Sequence, residues 1–327
     1  MREKDRAYNE ARELSRLTKE EWREYTKTVW QIPNVVHPGH PAVFPAEIPH
    51  RLIKMFTFVG ETVLDPFAGA GTSAIAALRL GRNAIGVDQN PEYAELARHQ
   101  GEALGTQGTT MIARVGDCRC MGWIEDGSVG LVVTSPPYWD KADYGDDERN
   151  LGRIEGYLDF IHSLRPAFQE CYRVLMPGRK ICVVTANVNQ HTDHGLLSFP
   201  LAADMIVLLR DIGFVMINEV VWNKDGTGGR WGSWGRQRPI FGSYPYPPNF
   251  LFKTVHEYIL IFAKPSGVRT RGPKVKPLGQ LMHPSGNGHL DAPVKGNGRR
   301  TASNAVGPWA LAGRTAEVVE EEPSYRG

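Results

Sequence analysis

The sequence predicts an α/β protein built on a doubly wound, mostly parallel sheet with an antiparallel hairpin at one edge. Three observations predict it. From Thr62 onward, short apolar runs alternate with segments of helical periodicity, the pattern of a parallel sheet covered on both faces. A glycine-rich turn, "DPFAGAGT", joins the first run to the first helix. The last two runs, Phe214–Lys224 and His256–Lys264, follow one another with no helix between them, which implies an antiparallel pair.

The elements follow in order. Residues 1–30 are charge-rich with apolar residues at helical spacing, and Thr18 with Glu21 forms a candidate capping box. They read as an N-terminal helical extension. The next stretch, "QIPNVVHPGHPAVFPAEIPH", is punctuated by prolines and extended, and runs into a helix at about 49–57. "ETVLD" reads as a strand, "SAIAALRLG" as a helix ending at Gly81, and "NAIGVD" as a strand. "PEYAELARHQGEAL" is a helix with proline in its first turn. "TTMIARVGD" and "GLVVTS" are strands. A long helix is expected over Glu155–Gly178, with a kink near Pro166. "KICVVTANV" is a strand and "FPLAADMIVLLRDIG" a helix, and the terminal hairpin closes the pattern. The connection of that hairpin, residues 224–253, is long enough to suggest a function of its own.

The domain therefore spans 31–265, and 266–327 reads as an irregular, partly basic tail, rich in Gly, Pro, Ser and Asn. The longest apolar runs, such as "YILIFA", fall far short of the roughly 20 residues that span a bilayer. The charged N-terminus lacks the apolar core of a secretion signal. Four cysteines without paired spacing read as reduced cytoplasmic thiols, and no metal site is expected. A net charge of +2 decides nothing about nucleic acid.

Chemistry concentrates at strand ends. Gly69 and Gly71, with Ala74, satisfy the relaxed glycine pattern of Rossmann-like folds, and Asp88 ends the next strand, where an acid can bind ribose hydroxyls. A purely structural glycine turn is the other reading. Asp65 precedes the turn, and an acid there suits a cationic group rather than a pyrophosphate. S-adenosyl-L-methionine, which carries a sulfonium and an α-amine, fits better than a nicotinamide dinucleotide. Asp117 could accept from an adenine amino group, or could simply be a strand-end turn aspartate.

"TSPPY" ends the fourth strand. Its prolines halt the strand and fix the backbone in advance. If the nucleophile is an exocyclic amino group, its lone pair is delocalised and it attacks poorly. Ser135 Oγ and the Pro136 carbonyl could accept from its two N–H groups, with Pro137 holding the turn and Tyr138 offering a stacking face. A proline turn over a buried tyrosine is the plainer alternative.

Together "DPFAGAGT" and "TSPPY" resemble the S-adenosyl-L-methionine-dependent DNA amino-methyltransferases, which modify cytosine N4 or adenine N6. The resemblance covers about residues 28–264 and implies a methyltransferase catalytic domain. It assigns Phe44, Pro45 and Glu47 to the methionine end of the cofactor. Asp65, Phe67, Gly69, Gly71 and Thr72 form the glycine motif, and Asp88, with Tyr93 behind it, the ribose motif. "HEYILIFAK" resembles the family's late strand. The cofactor motifs precede the catalytic one here, an order permuted relative to many relatives. Ser at position 135, rather than Asp or Asn, implies cytosine N4, with adenine N6 as the alternative. A double-stranded DNA target requires base flipping. RNA, a protein amide or a non-catalytic DNA-binding role are further alternatives. A partner restriction endonuclease and a cytoplasmic location are also implied.

Two segments are candidates for DNA contact. "YWDKADYGDDERN" mixes Lys141 and Tyr144 with five acids and reads as a lid or base-pocket wall beginning at Trp139 and Asp140. The long loop combines Arg230, Arg236 and Arg238 with Trp231 and Trp234, residues suited to phosphates, guanine edges and wedging. A self-packed surface loop is its plainer alternative. Trp222 and Lys224 either line the pocket or pack.

Overall fold

Strand β5 (Val129–Thr134) is buried at every position, which requires a central strand covered on both faces. The structure, a computed structural model, describes residues 3–35, 44–105, 108–141, 150–224, 245–248, 251–252 and 254–267. All fall within one unit, Met1–Val268. The other strands are β1 (Val29–Gln31), β2 (Thr62–Asp65), β3 (Asn83–Asp88), β4 (Met111–Val115), β6 (Leu175–Thr185), β7 (Val188–Thr192), β8 (Gly195–Phe199), β9 (Val215–Asn223) and β10 (His256–Ala263). Eight of them form one sheet in the order β1-β9-β10-β6-β5-β2-β3-β4. Among the described strands of that sheet, β10 alone runs against both its neighbours. The chain steps outward from β2 through β3 to β4, then restarts on the other side of β2 with β5 and β6. The order therefore reverses between β2 and β5, and ligands of such sheets sit beyond the strand ends at that point.

The helices are α1 (Glu3–Leu14), α2 (Lys19–Tyr25), α3 (Glu47–Phe56), α4 (Thr72–Arg79), α5 (Pro91–Leu104), α6 (Tyr157–Val174) and α7 (Leu201–Ile212). Successive residues of β5 point to opposite faces, as strand geometry dictates. Leu131 and Val133 join Ile48, Leu52 and Ala77 of α3 and α4 in one core. Val132 joins Phe160, Leu164 and Phe168 of α6 and Leu209 of α7 in the other. Each such large side chain, removed from water, contributes on the order of 1.5–3 kcal/mol. The expected capping box closes the start of α2: the Glu21 amide donates to Thr18 Oγ1 at 3.1 Å, and the Thr18 amide to Glu21 Oε2 at 3.0 Å.

Four features differ from the expectation. Val29 and Trp30, at the end of the stretch expected to be helical, form with Gln31 a strand paired parallel with β9 through Trp30↔Trp222. Burial of Trp30 against that partner overrides the helical periodicity before it. The terminal hairpin is present, with His256 opposite Asn223, but β1 lies outside it. α6 runs through Pro166 and ends at Val174, so "LMPG" begins β6 instead of extending the helix. Finally, "VNQHTDHGLLSF" folds as a separate two-stranded sheet, β7–β8, turning at Gly195 with φ +93°. No helix among the described residues is long and apolar enough to cross a membrane.

Candidate active site

Asp65 ends β2 at the reversal point and is 2% exposed. Its Oδ1 accepts from Thr134 Oγ1 at 2.7 Å and from the Phe67 amide at 3.1 Å. Its Oδ2 accepts from Ser73 Oγ at 2.7 Å. One carboxylate thus ties the glycine turn, the first turn of α4 and the end of β5 together. Burial pushes its pKa up to about 6; the bonds from Thr134, Ser73 and Phe67 oppose the shift, and the charge of Asp88 adds to it. Thr134 and Ser73 were not singled out in the sequence, although Thr134 opens the second motif and Ser73 directly follows the first.

The turn itself requires glycine. Gly71 caps α4 with φ +87°, and a Cβ there would stand 2.7 Å from Ala97 Cβ on α5. Gly69 has φ +49°, and its amide donates to Asp88 Oδ2 at 2.8 Å. Asp88 Oδ1 accepts from the Asn90 amide at 2.9 Å. Burial raises the Asp88 pKa, and these two amides oppose the shift. A carboxylate has about four acceptor sites, so capacity remains for ligand hydroxyls. Phe67 packs on the α6 core near Phe168. Thr72 is the first residue of α4 and half-buried.

Asp117 lies one strand further out, just beyond β4. Arg119 donates to it from Nε at 2.9 and 3.0 Å, from a terminal nitrogen at 2.7 Å and from its amide at 2.8 Å. Those are the contacts of a turn aspartate. Phe44 packs against the α3–α4 core, and Pro45 is buried at the entry to α3. Glu47 accepts from Arg51 Nε at 2.8 Å, and the Arg51 guanidinium lies 5.1 Å from the ring centres of both Tyr25 and Trp30.

Ser135 follows Thr134 directly, so the bond between Asp65 and Thr134 sets where the Ser-Pro-Pro-Tyr turn begins. Pro136 is buried, while Ser135, Pro137 and Tyr138 are half-buried. Ser135 Oγ donates to Tyr138 Oη at 3.3 Å, and Tyr138 Oη donates to Glu257 Oε2 at 2.9 Å. Lys224 Nζ donates to Glu257 Oε1 and lies 4.3 Å from the centre of the Trp222 ring. Glu257 was not identified from sequence, because only the register Glu257↔Trp222 brings it to this chain of bonds. Trp222 is packing: it is 1% exposed and donates from Nε1 to the Ile32 carbonyl at 2.8 Å.

Trp139 has φ +54°. For a bulky residue that costs on the order of 1–3 kcal/mol, and packing offsets it. Its indole is buried, donates to the Ile154 carbonyl at 2.8 Å, and meets Tyr157 and Phe199 edge-on at 5.3 and 5.0 Å. Phe199 ends β8, and Lys141 Nζ donates to Gln190 of β7 at 2.6 Å. The unexpected hairpin therefore braces the turn after Tyr138. Tyr144, Arg230, Trp231, Trp234, Arg236 and Arg238 lie outside the described residues. Among the described residues, no group of three His, Cys, Asp or Glu side chains could hold a metal.

The site can be tested against a cationic adenosine ligand. Asp65, buried, and Asp88, half-buried, are carboxylates bonded to hydroxyls and amides, with no lysine or arginine bonded to either among the described residues. Such a donor set is short of positive charge and has acceptors to spare. It fits a ligand carrying an ammonium or sulfonium and a ribose diol.

A family model described as DNA methylase, of the N6/N4 methyltransferase kind, matches residues 1–99 and 129–279. The chain is similar to the type II methyltransferase M.MjaI of Methanocaldococcus jannaschii, at 46% identity over 171 residues, 46% of this chain and 54% of that one. It is similar to the type II methyltransferase M.BglI of Bacillus subtilis, at 44% identity over 92 residues, 28% of this chain and 26% of that one. The matched stretches thus span about a half and about a quarter of those relatives. A candidate DNA modification methylase of Thermus thermophilus, solved with S-adenosyl-L-methionine, aligns over 48% of this chain and 57% of that one, at 34% identity and a TM-score of 0.35.

Proposed function

Because the chain belongs to the N6/N4 DNA methylase family, we propose that it transfers a methyl group from S-adenosyl-L-methionine to an exocyclic amino group of DNA, and that this group is N4 of cytosine in a short target. The observation that carries the reading is the Ser135–Tyr138 turn, anchored through Thr134 to Asp65 at the reversal of strand order. That arrangement puts a hydroxyl, a proline carbonyl and an aromatic ring at the end of β5, tied to the buried Asp65 of the neighbouring β2, with the half-buried Asp88 ending the next strand, β3.

When bound, S-adenosyl-L-methionine supplies an electrophilic methyl group on a sulfonium. The chain's own residues do the rest. Asp65 offers negative charge to the cationic end, and Asp88 offers acceptors to the ribose. Phe44, Pro45, Glu47, Phe67, Gly69, Gly71, Thr72 and Asp117 are the remaining candidate contacts. Ser135 Oγ and the Pro136 carbonyl accept from the two N–H groups of the target amine. That directs the nitrogen lone pair outward and stabilises positive charge as it develops, without reorganisation at the moment of reaction. Tyr138 contributes its ring face to a flipped base, because a base inside a duplex cannot reach the turn. Cytosine is assigned on Ser135, where relatives acting on adenine mostly carry Asp or Asn. Lys141, Tyr144 and the arginine–aromatic loop are the candidate DNA contacts. The similarity to type II methyltransferases supports pairing with a restriction endonuclease in the cytoplasm.

The test is transfer of tritiated methyl from labelled S-adenosyl-L-methionine to duplex DNA, RNA and protein in parallel. Label in DNA alone is expected. Label confined to RNA or protein would overturn the substrate, and no label in any acceptor would overturn the activity.

A further inference from the structure

We propose that Glu257 is a positioning residue that sets the hydrogen-bond polarity of Ser135 through Tyr138. The inference rests on the reading above, in which Ser135 accepts a hydrogen bond from the target amine. A serine hydroxyl is both donor and acceptor. If it turned its proton toward the amine, it would compete for the lone pair that must attack. Something has to commit that proton elsewhere, and the structure holds a chain that does so.

The direction of the chain follows from its far end. A carboxylate accepts only, and Glu257 Oε1 is already bonded by Lys224 Nζ in a charge-assisted contact. The Lys224 and Glu257 side chains are 13% and 15% exposed, so water competes little. Glu257 Oε2, at 2.9 Å, therefore requires Tyr138 to donate its one hydroxyl proton. Only lone pairs of Tyr138 Oη are then left for Ser135, which must donate across the 3.3 Å contact. The lone pairs of Ser135 Oγ remain, committed to accepting. Strand β10 supplies Glu257 and the end of β9 leads into Lys224, so the hairpin at this end of the sheet orients a hydroxyl at the end of β5. The same bond fixes the tilt of the Tyr138 ring.

The test compares steady-state methyl transfer by wild type, Glu257→Gln, Tyr138→Phe and the double variant, with cofactor Kd and Tm measured for each. It uses whichever acceptor takes the label. Glutamine can donate as well as accept, so it no longer dictates the direction of the chain. Tyr138→Phe keeps the ring and the Lys224–Glu257 pair, and serves if Glu257→Gln folds poorly. Each single change is expected to lower kcat on the order of 10- to 100-fold, the scale of a misplaced catalytic contact, while KM and cofactor Kd stay within about twofold. The double variant should be no slower than Tyr138→Phe, since the carboxylate acts only through the phenol. Multiplying losses in the double variant, or unchanged kcat in Tyr138→Phe, would overturn the inference alone. A wild-type chain that labels no acceptor would overturn it together with the proposed function.

Discussion

Replacing Asp65 with Asn removes a buried charge and leaves the shape of the side chain. Moving a carboxyl from 3.8 to about 6 costs the ionised form on the order of 3 kcal/mol. The folded-state value lies above the unfolded one, so the folded protein holds this proton more tightly. The contribution of Asp65 to stability is therefore fully present below pH 3.8 and is lost as pH rises through about 6. About half of that loss falls between pH 5 and 8. In Asp65→Asn, Ser73 and Thr134 can rotate their hydroxyls to suit the amide, at a cost that does not vary with pH. Urea unfolding of the ligand-free proteins at pH 5 and 8 should show the variant gaining on the order of 1 kcal/mol on wild type over that interval. Cofactor affinity should move the opposite way. Wild-type binding of S-adenosyl-L-methionine should tighten from pH 5 to 7 as Asp65 ionises, and binding by the variant should be weaker and flat. A stability difference independent of pH would refute both the strained carboxylate and its proposed role toward a cation.

Other predictions follow from single contacts. Gly71→Ala meets a φ of +87° and a 2.7 Å approach to Ala97 Cβ; it should destabilise by about 2–4 kcal/mol in urea unfolding, and a loss under about 0.5 kcal/mol would mean that α4 and α5 are not this close. Asp88→Asn should weaken cofactor binding by roughly tenfold or more, the worth of one or two bonds to a charged group, read by calorimetry; equal affinity would remove Asp88 from the ribose site. Trp139→Phe keeps an aromatic ring and loses the bond to the Ile154 carbonyl. It should cost about 1 kcal/mol of stability yet slow turnover disproportionately, and parallel small losses would show that the turn does not depend on the indole.

The layout of the sheet was legible because a strand buried on both faces carries almost no polar side chain, as β5 carries none before Thr134. The glycine turn of the candidate site was legible for a similar reason: Asp65, Gly69 and Gly71 lie within one short stretch of sequence. What escaped depends on distant partners. Val29–Gln31 becomes a strand only because β9 lies beside it, and nothing local distinguishes it from the helical run before it. The β7–β8 hairpin is polar on most positions, so it carries no period that burial would impose. Glu257 reads as an ordinary acid at the start of a strand; the sheet register carries it to Tyr138. Sequence left Trp222 and Lys224 between packing and pocket, and the structure separates them. Trp222 packs, while Lys224 reaches Glu257.

The central claim is that the Ser135–Tyr138 turn receives a cytosine amino group. Duplex DNA treated with wild type or Ser135→Ala and labelled S-adenosyl-L-methionine, then digested to nucleosides and resolved by mass, tests it most directly. The account predicts N4-methylcytosine from wild type and its near-complete loss in Ser135→Ala, with cofactor affinity retained. Label found in N6-methyladenine instead would contradict the base, and undiminished N4-methylcytosine from Ser135→Ala would contradict the role of the turn.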